Sequence, residues 1–257
     1  MKPTTVISTI LKHDNKQTSY KIALLRAIND VALAFPDIRN FNQDVAVPLR
    51  VLAEFWLAYY WPFANPENPI LQGGQRMIDG IVVQNDMAFR VETEKFRLEL
   101  EQRLGTLSKP CDGFYIVNEL RIPRKRKQQV ALLPAYEQAI KKISHTIGGM
   151  PVRHAGPGEY SVFKKPEKYS LLKTQGQVMP IPGTREDDRC IIIRADLWQA
   201  FQEMSLYIEA LCIHEWCLFT EGVSRKSDQP ITRGEIYQLL TSRPDNRRPL
   251  TWECAFW

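Results

Sequence analysis

The stretch VPLRVLAEFWLAYYWPF, residues 47–63, constrains the fold of this chain more than any other. Pro48 suits the first turn of a helix, and Pro62 ends the run. Between the two prolines, apolar and aromatic side chains cover most of the helix circumference. A helix of this composition has to be packed on several sides, so we expect it at the centre of a mainly α-helical chain. Such an aromatic run is more typical of a core than of a platform for stacked bases.

A second helix is predicted directly after HDNKQTS, because apolar residues recur there at steps of three and four until Pro36. On this helical wheel, Arg26 and Asp30 point away from the apolar side. Lys21 lies near the middle of the apolar side in the first turn. We expect its ammonium group to reach solvent past the helix end rather than to be buried and paired.

The remaining patterns predict more helices and a few short strands. Helices are expected at residues 75–84, 86–105, 123–147 with a bend near Pro134, 195–222 and 232–244. Strands are expected at residues 112–120, between 148 and 163, and at 189–193. The fold class is therefore mainly α, a multi-helix domain with a small β element in the middle of the chain. We divide it into an N-terminal helical region (1–110), a basic mixed α/β segment (111–194) and a C-terminal helical region (195–257), with one compact domain as the alternative.

Glu215 falls inside an apolar stripe of the predicted helix 195–222. The stripe consists of Leu197, Phe201, Met204, Ile208, Leu211 and Phe219. A charged, unpaired carboxylate in such a setting costs on the order of several kcal/mol. We therefore expect Glu215 to meet a basic partner, such as Lys21 or Arg50.

Basic residues are concentrated in one segment of the chain. Residues 121–173 contain twelve Lys and Arg against three acidic residues, whereas the whole chain has a net charge of only +5. A basic block of this kind suits the phosphates of nucleic acid, and a solvated surface near a loop is the alternative. The candidate nucleic-acid-binding residues are Arg121, Arg124, Lys125, Arg126, Lys127, Lys164, Lys165 and Lys168.

The five cysteines and the pattern of apolar residues indicate the cellular compartment of the protein. The cysteines are odd in number and form no C-x-x-C pair, which favours reduced thiols in a core over disulfides or a zinc site. No run of about 18 apolar residues and no signal peptide is recognisable. We expect a cytoplasmic protein that does not contact a membrane.

No set of residues predicts catalysis. The four histidines form no H-E-x-x-H motif and no Asp-His pair, and the chain contains no phosphate loop, dinucleotide fingerprint or nucleophile elbow. The acidic clusters ETEKFRLELE and REDD suit charged surfaces. We therefore predict no catalytic residue, no metal ligand and no cofactor within these residues.

Several phrases nevertheless resemble a known family. ILKHDNKQTSYKIALLRAINDVAL, VPLRVLAEFWLAYYWPF with ILQGG, CIHEWCLFTEG and TSRPDNRRPLTWE are similar to the region upstream of the nuclease module in bacterial HNH endonuclease family proteins, from about residue 8 to 253. In that family, the segment resembling RRPLTWE leads into a ββα-metal nuclease domain with an Asp-His pair, an Asn and a further His. This sequence departs from the pattern at Cys254 and stops after CAFW.

The resemblance therefore implies a part of a nuclease without its catalytic module. A divalent metal such as Mg²⁺ would belong to that module, and we expect the sequence to be cut just before it. The alternative is a native ending of a chain that acts alone or with a nuclease partner. The family also implies a role in restriction or phage defence.

Three hypotheses follow for the function. The first is a nucleic-acid-binding or scaffold region of an HNH endonuclease family protein that is catalytically incomplete as given, with DNA as the expected partner. The second is an interaction protein that forms a homo-oligomer and acts with a separate nuclease. The third is a self-contained metal-dependent nuclease with an unrecognised site.

Overall fold

Helices form most of the fold in the computed structural model, which describes residues 2–39, 42–105, 107, 109–174, 178–225 and 230–242. The α-helices in chain order are α1 (Pro3–Lys12), α2 (Tyr20–Ala34), α3 (Leu49–Tyr60), α4 (Arg90–Leu104), α5 (Asp112–Arg121), α6 (Pro123–Gln128), α7 (Leu133–Gly149), α8 (Pro151–His154), α9 (Tyr169–Thr174), α10 (Ala195–Glu203), α11 (Ser205–Ser224) and α12 (Arg233–Thr241). Short 3₁₀ turns lie at Pro62–Ala64 and Val130–Leu132. The predicted fold class, mainly α with a small β element, is confirmed.

The β element combines strands that are far apart in the sequence. The strands are β1 (Asp44–Pro48), β2 (Gln75–Ile78), β3 (Ile81–Gln84), β4 (Glu167–Lys168), β5 (Val178–Pro180) and β6 (Arg189–Ile193). Four of them form a mixed sheet in the order β4-β6-β1-β5, in which β1 is parallel to β5 and antiparallel to β6. Side chains alternate between its faces, so Val45 and Val47 enter the main core while Ala46 packs with Leu172 on the other face.

Helix α3 lies at the centre of the fold, as the sequence predicts. It packs against α2, α5, α7 and the sheet, and Trp56, Tyr59 and Tyr60 are buried. Pro48 ends β1 and serves as the N-cap of α3, so the chain turns directly from strand to helix. The main core extends along the chain from Val6 to Leu240.

Helix α2 is buried around most of its circumference, which corrects one prediction. Arg26 and Asp30, expected on an exposed side, are only 1% and 6% exposed. The guanidinium of Arg26 lies 4.4 Å from the centre of the Tyr59 ring and donates to the carbonyl of Leu240 at 2.8 Å. Tyr59 in turn donates to Asp30 at 2.7 Å. The side of α2 that looked polar is thus covered by α3, α11 and α12.

Residues 75–84 form a β-hairpin and not the predicted helix. Strands β2 and β3 pair antiparallel around Asp79 and Gly80, whose φ angles are 49° and 78°. Two successive positive φ angles define the tight turn that Asp-Gly favours between strands. The hairpin exposes the apolar side chains of Met77, Ile81 and Val82.

Residues 112–120 belong to α5 and not to a strand. The buried side chains Ile116, Val117 and Leu120 follow helical spacing and face the core. Gly113 lets the first turn of α5 approach α3 closely, because a Cβ at this position would lie 2.6 Å from Cβ of Trp61. A prediction from β propensity alone missed this helix because Phe114, Tyr115, Ile116 and Val117 are also good strand formers.

Three other segments differ in detail from the predictions. The strands expected between residues 148 and 163 are absent, since that stretch, described throughout, contains α8 and turns. The helix expected at 195–222 is interrupted at Met204, which separates α10 from α11 and leaves Leu211 of the predicted stripe exposed. The helix expected at 232–244 is α12, which begins at a capping box of Thr232 and Glu235. The proposed boundaries at residues 110 and 194 stay predictions.

Candidate functional site

A polar cleft of about 770 Å³ lies between α7, the start of α3 and the loop before β6. Its charged lining consists of the cations Arg50, Arg126, Lys141, Lys142, Arg185 and Arg189 and the carboxylates Glu54, Glu92, Glu137, Asp187 and Asp188. A cleft with so many ionic groups suits a charged ligand better than an apolar one.

Helix α7 forms one wall of the cleft because it is amphipathic. Its buried residues are Ala135, Tyr136, Ala139, Ile140, Ile143, Thr146 and Ile147. Glu137, Lys141 and His145 recur at steps of four on the other side, are exposed, and line the cleft. The same helix therefore anchors the core and presents polar groups to the cleft.

Asp188 holds the opposite wall in place. Its Oδ1 accepts a hydrogen bond from Nε of Arg50 at 2.7 Å, and its Oδ2 accepts one from the backbone N–H of Arg185 at 2.8 Å. Burial works against the charge of Arg50, but the hydrogen bond and the charge of Asp188 outweigh it and raise the guanidinium pKa above its usual value. Arg50 therefore binds Asp188 in the loop before β6 and does not pair with Glu215, for which it was an expected partner.

Glu54 joins the cleft to the end of α5. Tyr136 donates to Oε1 of Glu54 at 3.1 Å, and Nε of Arg121 donates to Oε2 at 2.6 Å. Burial raises the pKa of Tyr136 well above its usual value, and the neighbouring Glu54 charge acts in the same direction. The phenol therefore stays protonated and serves as a hydrogen-bond donor.

Three of the eight predicted nucleic-acid-binding residues are engaged by carboxylates of the chain itself. Arg121 pairs with Glu54, Lys125 pairs with Glu119, and Arg126 pairs with Glu137 at 2.5 Å. Arg121 also lies over the ring of Phe55, with 4.8 Å between the guanidinium carbon and the ring centre. These pairs reduce the positive potential that the sequence count suggested.

The other five predicted cations are exposed. Arg124 and Lys127 on α6, and Lys164, Lys165 and Lys168 before α9, have no carboxylate partner within the described residues. Such side chains keep their full charge available for an external anion.

Arg189 connects the cleft to the basic cluster of Lys164, Lys165 and Lys168. Arg189 lies opposite Lys168 in the antiparallel pairing of β6 with β4. Its Nη2 donates to the carbonyl of Pro166 at 3.0 Å. Pro166 also lies next to α7, since a Cβ on Gly148 would be 3.6 Å from its ring. Because Arg189 and Arg126 both line the cleft, the cleft joins two basic clusters, one of Arg124 and Lys127 on α6 and the other of Lys164, Lys165 and Lys168.

The sequence prediction missed Lys141, Arg185 and Arg189, which line the cleft without a carboxylate partner in the described part of the chain. Lys141 could have been found from the step-of-four pattern with Glu137 and His145 on α7. Nothing local in the sequence places Arg185 or Arg189 beside α7, because that neighbourhood depends on the pairing of β6 with β1.

Lys21 and Glu215 are paired, although with partners other than those expected. Lys21 is only 14% exposed in its side chain and donates to Oδ2 of Asp14 at 3.0 Å, so the expectation that it reaches solvent is wrong. Glu215 accepts from Lys12 of α1 at 2.5 Å. Glu215 therefore has a basic partner, as expected, but the partner is not one of the two named, because Lys21 binds Asp14 and Arg50 binds Asp188.

The described residues contain neither a candidate metal site nor a membrane-spanning helix. No three or more His, Cys, Asp and Glu side chains among them are grouped so that they could hold a metal ion. None of the described helices is long and apolar enough to span a bilayer.

Cys111, Cys190, Cys212 and Cys217 are free thiols, and all but Cys111 are buried. Cys254 and the phrase RRPLTWE lie outside the described residues.

An exposed apolar surface lies on α11 and α12. Leu206 and Tyr207 are 77% and 70% exposed, and Leu211 and Tyr237 are exposed beside them. A groove of about 410 Å³ runs between Leu206, Ile213 and Tyr237. Contiguous apolar surface of this kind is typical of sites where another molecule binds.

Comparison with known proteins identifies one family. No curated protein and no solved structure matches the chain. The profile of a family described as a domain of unknown function, DUF8808, matches residues 1–240. Because this match covers nearly all of the 257 residues, the chain belongs to the DUF8808 family.

Proposed function

We propose that this chain is the DNA-binding region of an HNH endonuclease family protein and that it binds duplex DNA along the polar cleft and its two basic clusters. The resemblance of the sequence phrases to that family suggests the nuclease context. The proposal places the protein in the cytoplasm, in restriction or phage defence. It assigns hydrolysis to a nuclease module or partner and no catalytic role to the described residues.

One observation supports this proposal more than any other. Eight exposed cations without a carboxylate partner in the described residues lie on α6, on α7 and around β4 and β6, and Arg126 and Arg189 connect them through one cleft. These cations are Arg124, Lys127, Lys141, Lys164, Lys165, Lys168, Arg185 and Arg189. Cations that are already paired add little to phosphate binding, whereas unpaired ones displace the counterions of DNA directly.

The salt dependence of DNA affinity tests the proposal quantitatively. If the five unpaired cations of the two predicted clusters each contact one phosphate, the slope of log K against log salt is about −4.5. Affinity then falls roughly 500-fold between about 50 and 200 mM salt. Fluorescence anisotropy with a labelled duplex measures this slope.

Variants separate the proposed surface from general charge. The double variant Arg124→Ala/Lys127→Ala should make the slope shallower by about 2, and Lys164→Ala/Lys165→Ala/Lys168→Ala by about 3. The control Lys2→Ala/Lys109→Ala removes two exposed cations that do not line the cleft and should leave the slope unchanged. Salt-insensitive binding, or an equal effect of the control, would refute the proposal.

The apolar surface of α11 favours a second candidate function, association of two copies of this chain. Two identical surfaces around a two-fold axis would bury Leu206 and Tyr207 of each copy. Light scattering should then give a dimer that Leu206→Glu dissociates, while Leu98→Glu, which changes an exposed leucine of α4, leaves it intact. A monomeric wild-type chain at all concentrations contradicts this candidate.

A self-contained nuclease remains the competing hypothesis for the whole chain. Metal-dependent nicking of plasmid DNA by the purified 257-residue chain would overturn the assignment of hydrolysis to another module. The same measurement on the variants of the two basic clusters would then show whether cleavage uses the proposed surface.

A further inference from the structure

We propose that the pocket between the α1–α2 loop and α8 is a binding site for a phosphomonoester dianion, held by Lys16, Lys21 and His154. The site is separate from the DNA-binding cleft, because the two cavities share no lining residue. The inference therefore does not depend on the proposed function.

The pocket has the size and the polar groups for a small anionic ligand. Its volume is about 320 Å³, near the lower end of the range of roughly 300–1,000 Å³ for small-molecule sites. Lys16, Lys21 and His154 line it together with Gln17 and Thr18. Tyr20, Met150 and Pro151 form an apolar part of the lining, so the pocket suits a phosphate that carries an organic group.

The two lysines are held close together by one residue. Nζ of Lys21 donates to Oδ2 of Asp14 at 3.0 Å, and Nζ of Lys16 donates to the backbone carbonyl of Asp14 at 3.2 Å. Oδ2 of Asp14 also accepts the backbone N–H of Gly156 at 2.7 Å. Asp14 therefore fixes both ammonium groups beside the pocket and links the α1–α2 loop to the segment after α8.

The charges around the pocket are unbalanced. Asp14 supplies one carboxylate for two ammonium groups, and the nearby Glu215 is paired with Lys12. Each ammonium group has three N–H donors, so both lysines keep donors beyond their bonds to Asp14. An oxyanion in the pocket could accept these bonds and the N–H of His154, and its charge would balance the second lysine.

The burial and the charges around Lys16 link its protonation to anion binding. Partial burial lowers the pKa of Lys16, and the positive charge of Lys21 acts in the same direction, although Glu215 and Asp14 oppose them. A dianion next to Lys16 would favour its charged form. Anion binding and protonation of Lys16 should therefore support each other.

Two sources could supply the same chemical group. One is the terminal phosphate of a nucleic-acid strand, and the other is a free mononucleotide or sugar phosphate. Both present a phosphomonoester that is mostly dianionic at about pH 8, since its second pKa is about 6.

Calorimetric titration of the full chain with inorganic phosphate and with adenosine monophosphate tests the site. Saturable binding to at least one probe is expected, and Lys16→Gln should weaken it about tenfold or more, because a charge-assisted bond is lost. Lys2→Gln, at the exposed start of α1, removes the same charge and should change affinity less than twofold. His154→Ala, on an exposed side chain, provides a second variant in case Lys16→Gln disturbs the loop.

The outcomes separate this proposal from the DNA-binding proposal. Absence of saturable binding to both probes, or equal affinity of wild type, Lys16→Gln and His154→Ala, would overturn the site. The double variant Arg124→Ala/Lys127→Ala should leave phosphate binding unchanged, because both residues lie on α6 and neither lines this pocket. A wild-type chain that binds phosphate saturably but does not bind duplex DNA would reject only the DNA-binding proposal.

A last comparison identifies the source of the group. A 5′-phosphorylated oligonucleotide that binds more tightly than its 5′-hydroxyl form, in wild type but not in Lys16→Gln, supports the site as a receptor for a strand end. Equal binding of the two oligonucleotides, together with Lys16-dependent binding of adenosine monophosphate, supports it as a site for a free phosphomonoester.

Discussion

The close approach of α5 to α3 at Gly113 leads to a quantitative prediction for Gly113→Ala. A Cβ at this position would lie 2.6 Å from Cβ and 2.9 Å from Cγ of Trp61, and 3.1 Å from Cα of Ala58. Carbon atoms without a bond between them prefer separations of about 3.5–4.0 Å. One helix would therefore have to move by roughly 1 Å relative to the other.

The surroundings of Trp61 prevent an easy adjustment. Its ring is buried, packs edge-on against Phe96 with 6.0 Å between ring centres, and lies 5.2 Å from the guanidinium carbon of Arg97. Overpacking of this kind costs about 1–3 kcal/mol. The higher helix propensity of alanine returns at most about 1 kcal/mol. The expected net loss in the free energy of unfolding is about 1–2 kcal/mol, or roughly 2–8 °C in Tm.

A glycine without neighbours gives the matched control. Gly222 in α11 is exposed, and no described residue lies within 4 Å of a Cβ built on it, so Gly222→Ala should raise stability by up to about 1 kcal/mol. Urea unfolding followed by circular dichroism measures both variants. A Gly113→Ala chain as stable as wild type, beside a stabilised Gly222→Ala chain, would refute the contact between α5 and α3.

Two further predictions concern charge and pH. Asp188→Asn should lower the free energy of unfolding by about 1–2 kcal/mol, because Arg50 loses its charged partner. Duplex affinity should rise, because the cleft loses a negative charge. Urea unfolding measures the first effect and fluorescence anisotropy the second, and a loss of DNA affinity would contradict the prediction. Burial raises the pKa of Cys190 and of Tyr20 to about 12, so their contribution to stability is present below about pH 9 and should be lost as pH rises towards 12. Urea unfolding at increasing pH measures this loss, which should be smaller in Cys190→Ala, and stability that rises over this interval would contradict the burial of these groups.

The elements that the sequence predicted correctly have strong local signals. Helix α3 is predictable from an apolar run between two prolines, and α4 from its end at Gly105, where φ is 83°. The strand β6 is predictable from three consecutive isoleucines before a helix start. In each case the residues that determine the element lie within it or directly beside its ends.

The wrong predictions arose where two local signals competed. Residues 75–84 show helical spacing of apolar residues, but the Asp79-Gly80 pair with its positive φ angles determines a hairpin. For α5, aromatic and β-branched residues suggested a strand, and packing on α3 through Gly113 determines a helix. Weighting turn chemistry above apolar spacing would have corrected the first error, whereas the second requires knowledge of the neighbour.

Buried polar residues were unpredictable for a different reason. A helical wheel divides α2 into an apolar and a polar side, but α3 covers Asp30 through Tyr59, and the carbonyl of Leu240 reaches Arg26 from the other end of the chain. The wheel describes only one helix, and burial depends on how many others pack on it. Charged residues in a central helix therefore indicate an internal network as readily as a surface.

The candidate site shows the same dependence on distant partners, with a direct effect on function. A count of Lys and Arg treats Arg121 and Arg126 like Arg124. However, Glu54 and Glu137 neutralise the first two, whereas the third has no carboxylate partner among the described residues. The free charge of a basic segment is therefore set by carboxylates that the fold brings to it. In this chain, the pairing of β6 with β4 and β1 adds Arg189 to the cleft, so the surface available to phosphate differs in its members from the basic run in the sequence.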